Sequence, residues 1–174
     1  MRHRAPVHET LIYPITLDQV EIAALLPHRG EMLFIHEVIV LAHNRYQGQA
    51  SWSAASAALQ GHFPGFPVVP GVFLLEAVAQ VAGAGMFAGD LVARAQKDGR
   101  IGVLAAIRKC VFKCPIFADQ IVHIDIACRQ IGATIVQVKA NINVGMAEAA
   151  TVEIVLANTS LEQMTNAIDT QGVA

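Results

Sequence analysis

Between Ile121 and Arg129 the apolar residues Val122, Ile124 and Ile126 alternate with His123, Asp125 and Ala127, a period of two that predicts a half-buried strand. The same rhythm returns at Ile135, Gln137 and Lys139, within an expected strand Thr134–Ile142. Further strands are expected over Met32–Ala42, Arg45–Trp52, Ile101–Phe112 and Met146–Ala157. His43-Asn44, Asp98-Gly99 and Ile131-Gly132-Ala133 read as turns between them, and Gly48 as a bulge. Against this stands Phe73–Ala88, apolar throughout except for Glu76 and Gln80, which predicts a long buried helix reaching about Gly89. Thr16, followed by Asp18 and Gln19, is placed to cap a short helix that Pro27 ends near Leu26.

Strands that follow one another through short connections pair antiparallel, and such a sheet has one face to bury. The long, nearly uncharged helix is the element that would cover it. The expected fold is therefore α+β, with five to six antiparallel strands wrapped around one central helix. It forms one domain over 16–158, between a flexible N-terminal segment, 1–15, and a mobile C-terminal tail, 159–174.

Composition adds an assembly to this picture. Apolar residues make up 54% of the chain and charged residues 15%, against roughly 25% charged in an ordinary soluble domain. One domain of this size exposes part of such a surplus, so an oligomer with an extensive interface is expected. A net charge of −2 and the lack of a basic run argue against nucleic-acid binding. The N-terminus lacks the apolar core of a secretory signal. Glu76 and Gln80 in mid-helix, among many small residues, argue against a membrane span. Cys110, Cys114 and Cys128 form no CxxC motif. The first two, in one strand, would lie about 13 Å apart, too far for a disulfide. They read as reduced thiols of a cytoplasmic protein.

The chemistry concentrates in Gly61–Gln80, GHFPGFPVVPGVFLLEAVAQ. Pro64, Pro67 and Pro70 stiffen a loop that carries His62 and opens the long helix, on which Glu76 sits. Imidazole is a general base near neutral pH. Glu76, expected among Leu74, Leu75 and Val78, would have its pKa raised by desolvation and so could donate a proton. Pro70 at the helix start leaves the N–H groups of Gly71 and Val72 free to meet developing negative charge. Base, acid and oxyanion donors together suit proton transfer beside a carbonyl, and that chemistry needs no metal or redox cofactor. His28 and Arg29 read as residues that hold the turn after the first helix.

GHFPGFPVVPGVFLLEAVAQVAG resembles the signature of the β-hydroxyacyl-(acyl-carrier-protein) dehydratases of fatty-acid synthesis, which have the hotdog fold. LLPHRGEMLFIHEV and LAAIRKCVFKCPIFADQIVHIDI extend the likeness from about Leu25 to Ile126. The resemblance implies a dehydratase acting on a (3R)-hydroxyacyl thioester to give the trans-2-enoyl thioester. His62 and Glu76 would be its catalytic pair, supplied by opposite subunits of a homodimer, itself able to form a trimer of dimers. Gly71 and Val72 would donate backbone N–H groups, and Gln80 would support Glu76. A Glu at position 76 matches the branch that dehydrates without isomerising. Lys109 and Lys113 match positions that meet the acidic carrier protein, while Val111 and Cys114 replace two further arginines there. Phe66, Val69 and His36-Glu37 also depart from the family pattern, and a coenzyme A thioester is the alternative substrate form. The competing functions are a hotdog acyl-thioesterase and a non-catalytic acyl-binding subunit.

Overall fold

The structure, a computed structural model, describes residues 11–95 and 99–160 together with 162 and 166. Seven strands make one antiparallel sheet: β1 (Ile15–Leu17), β2 (Ile35–Ala42), β3 (Arg45–Ala50), β4 (Arg100–Phe112), β5 (Val122–Gln130), β6 (Ile135–Val144) and β7 (Ala147–Ser160). Their order across the sheet is β1-β2-β3-β5-β6-β7-β4. The sequence predicts five to six strands. The seventh is β1, whose three residues are too few to show a period. Thr16 belongs to that strand rather than to a cap. Helix α1 (Gln19–Leu25) is instead capped by Asp18, which exchanges hydrogen bonds with Glu21 in a capping box.

Two further short helices, α2 (Ala57–Gly61) and α4 (Leu91–Ala95), flank the long α3 (Gly71–Gly89). β7 runs to Ser160, which pairs with Arg100, so Thr159 and Ser160 belong to the sheet rather than to the expected tail. Most of that tail, segment 1–10 and Asp98 of the expected turn lie outside the described residues.

Alternation translates directly into burial. Val122, Ile124 and Ile126 of β5 and Val136, Val138, Ala140 and Ile142 of β6 face the core, and α3 packs against β2, β3 and β5. Close approach of helix and sheet depends on glycine. A Cβ at Gly48 would lie 2.3 Å from Val81, and one at Gly85 would lie 2.4 Å from the Tyr46 ring. Gly48 sits in register between Val38 and Ile124, so it is a contact point and not a bulge. α3 is apolar and long enough to span a membrane by composition, yet most of it is buried within the domain.

Candidate active site

His62 follows α2 directly, in a loop stitched to the segment after β4. Val69 N–H donates to Ile116 O (2.8 Å), Ala118 N–H to Pro67 O (3.1 Å), and Val68 bridges Phe117. The His62 ring stacks on Phe63, with centroids 4.2 Å apart, and its Nδ1 lies 2.9 Å from Val68 O. A carbonyl only accepts, so Nδ1 carries the proton and Nε2 presents a lone pair. The loop thus holds the imidazole in one orientation, with Nε2 left as an acceptor. Gly71 and Val72 form the first turn of α3, where helix geometry gives their N–H groups no internal acceptor. Gly71 has a steric reason to be glycine: a Cβ there would lie 2.6 Å from the Phe112 ring.

Glu76, Ala79, Gly83 and Met86 recur at helical spacing along α3 and form one wall of a cavity of about 520 Å³. Leu26, Phe87, Val136 and Leu156 add to its apolar lining. His62 is not part of that lining, so a single chain does not bring the two expected catalytic residues together in it. Gln80, 1% exposed, has its amide orientation settled by backbone: Oε1 accepts from Phe34 N–H (3.0 Å) and Nε2 donates to Met32 O (2.7 Å). Nε2 also donates to Glu76 Oε1 at 2.9 Å, which places Gln80 in the supporting position expected of it.

The protonation of Glu76 corrects the sequence expectation. His28 Nε2 stands 3.0 Å from Glu76 Oε1, and this hydrogen bond, aided by the one from Gln80, holds the carboxyl below its ordinary range. Desolvation acts in the raising direction, as expected, but is outweighed. Glu76 is therefore ionised at neutral pH. His28 is the site residue that sequence reading misassigned to the turn. Arg29 does hold that turn, donating to Leu26 O and His28 O at 2.6 Å each. The signal was faint, one His in a Pro-His-Arg segment 48 positions from its partner.

Lys113 pairs with Glu148, while Lys109 is exposed on β4 opposite Glu153. Burial pushes the Cys128 thiol, in the same cavity wall, up to about 12.

A model of the FabA-like domain matches residues 26–154. The 3-hydroxyacyl-[acyl-carrier-protein] dehydratase FabZ of Caldanaerobacter subterraneus subsp. tengcongensis is 31% identical over 79% of this chain and 95% of its own. The enzyme of that name from Latilactobacillus sakei subsp. sakei is 32% identical over 79% and 96%. Among solved structures, the dehydratase heterocomplex ApeI:P from Xenorhabdus doucetiae superposes with a TM-score of 0.68 at 18% identity, covering 91% of this chain and 99% of that one. The fluoroacetyl-CoA thioesterase FlK superposes at 0.55 with 15% identity, covering 76% and 97%. These structural likenesses establish the hotdog architecture, and the sequence matches go further: the chain belongs to the FabA-like hotdog dehydratase family.

Proposed function

We propose that this protein is a 3-hydroxyacyl-[acyl-carrier-protein] dehydratase of fatty-acid or related acyl-chain biosynthesis. The observation that carries the reading is that this member of the family holds His62 with one ring nitrogen left to accept, and separately turns the Glu76 carboxylate onto a largely apolar cavity. His62 Nε2 takes the C2 proton of the 3-hydroxyacyl thioester. The N–H groups of Gly71 and Val72 meet the charge that develops on the thioester oxygen, where the α3 dipole adds to the field. The C3–O bond breaks, and the departing hydroxide takes up the proton His62 received, leaving as water. Glu76, ionised, accepts a hydrogen bond from the C3 hydroxyl and orients it. The cavity, running along α3 from Glu76 to Phe87, about 16 Å at 1.5 Å per residue, takes the acyl chain.

Because His62 and Glu76 do not share one chain's cavity, each site draws His62 from one subunit and its carboxylate from the other. The outer edge of β4 supports such a homodimer: it has no strand partner among the described residues and exposes Leu104, Ile107, Val111 and Phe112. Lys109 is the better of the two candidate carrier-protein contacts, since Lys113 is already paired. The free thiols fit a cytoplasmic setting.

The test supplies purified protein with 3-hydroxyacyl and saturated acyl thioesters, on carrier protein and on coenzyme A. Enoyl thioester from the hydroxyacyl substrates alone is the expected result. Release of free thiol from both, without enoyl product, would make it a thioesterase, and no turnover would leave an acyl-binding subunit.

A further inference from the structure

Glu76 carries two donors on one oxygen and none on the other. His28 Nε2 and Gln80 Nε2 both reach Oε1, at 3.0 and 2.9 Å, while Oε2 has no partner among the described residues. His28 and Gln80 approach from different elements, the turn after α1 and the next turn of α3 beyond Glu76's own. The carboxylate is thus held from two sides with one oxygen left over.

The far nitrogen of His28 decides what kind of donor it is. Nδ1 is buried and has no hydrogen-bond partner among the described residues. A protonated imidazole would strand an N–H there, at a cost of about 1–3 kcal/mol for an unsatisfied buried donor. The opposite neutral tautomer would strand the same N–H and also turn a lone pair toward the carboxylate. Only a neutral ring with its proton on Nε2 leaves no orphaned donor. Asp90, Arg100, Arg129 and His43 also line the cavity, from beyond α3, β4, β5 and the β2–β3 turn, and none forms an ion pair with Glu76. Among the described residues, His28 is the one titratable group that contacts it.

We propose that His28 is a positioning residue of the dehydration: as a neutral Nε2–H donor it works with Gln80 to pin Glu76 Oε1 and present Oε2 to the substrate hydroxyl. This rests on the reading of the site given above. His28 transfers no proton in the reaction, so a neutral donor of the same reach serves in its place.

Two substitutions separate this from a structural or an acid role. His28→Leu removes the donor, and kcat falls about 10²-fold, the usual consequence of a misplaced catalytic group, with KM little changed. His28→Gln, whose amide N–H reaches where Nε2 does, recovers most of the lost turnover. NMR titration of the Glu76 carboxyl reads the contact itself: it titrates at higher pH in His28→Leu than in the wild type and stays low in His28→Gln. Equal turnover in His28→Leu and the wild type, or an unmoved titration, overturns the proposal. So does a His28→Gln enzyme as slow as His28→Leu, which would make His28 a proton donor. If melting curves show His28→Leu unfolded, His28→Gln decides alone: retained turnover supports the role and an approximately 10²-fold loss refutes it. The titration needs no activity, so failure of the dehydratase reading would leave the His28–Glu76 coupling to stand or fall separately.

Discussion

Val68 O occupies Nδ1 of His62, so every proton the imidazole handles passes through Nε2. His62→Ala should lower kcat by about 10²–10⁴-fold, the range for losing a general base. Stability should change by only about 1 kcal/mol, for one neutral hydrogen bond, which a melting curve beside the rate assay checks. Glu76 makes a different prediction, about pH. Its carboxyl titrates below its ordinary 4.5 in the folded chain, so the ionised form favours folding. That contribution is complete above the ordinary value and is lost as pH falls through the lower, folded value. Denaturant melts of wild type and Glu76→Gln should therefore differ most near neutrality and converge as the pH falls below the ordinary 4.5. The placement of both residues, one in the loop after α2 and one on α3, was readable from the sequence pattern. The state of Glu76 was not, because desolvation alone points upward and the donor that reverses it comes from a distant turn.

Helix α3 is asymmetric in use although it is apolar almost all round. One side meets the sheet so closely that only glycine fits at Gly85 against Tyr46 and at Gly89 against Val40. The other side, from Glu76 through Ala79 and Gly83 to Met86, walls the cavity, and its small residues leave the room. Gly85→Ala should destabilise the protein by about 1–3 kcal/mol through overpacking, despite alanine's better helix propensity. Denaturant unfolding at fixed protein concentration measures it, and a gain in stability would show that helix and sheet are not in that close contact. The helix was legible as a run, whereas its two sides were not: nothing in a uniformly apolar stretch distinguishes the wall of a core from the wall of a cavity.

The edge formed by β4 is the feature of the assembled domain with the largest consequence. A 13-residue edge strand with exposed Leu104, Ile107 and Val111 invites pairing with another strand. If the proposed shared-site dimer forms through this edge, Ile107→Lys should shift it toward monomer in light-scattering chromatography and take dehydratase activity with it, since each site would lose half of its residues. A fully active monomer would refute the shared site. What the amino-acid sequence determined without help was local: strands from a period of two, one buried helix from an unbroken apolar run, a rigid imidazole from three prolines. These follow because propensity and burial pattern act over a few residues. The pinning of Glu76 by His28, the glycine contacts that seat α3, and the separation of His62 from the cavity were decided only by tertiary structure. Each depends on which distant segments the assembled sheet brings within hydrogen-bonding or van der Waals reach, a quantity no short stretch of chain encodes.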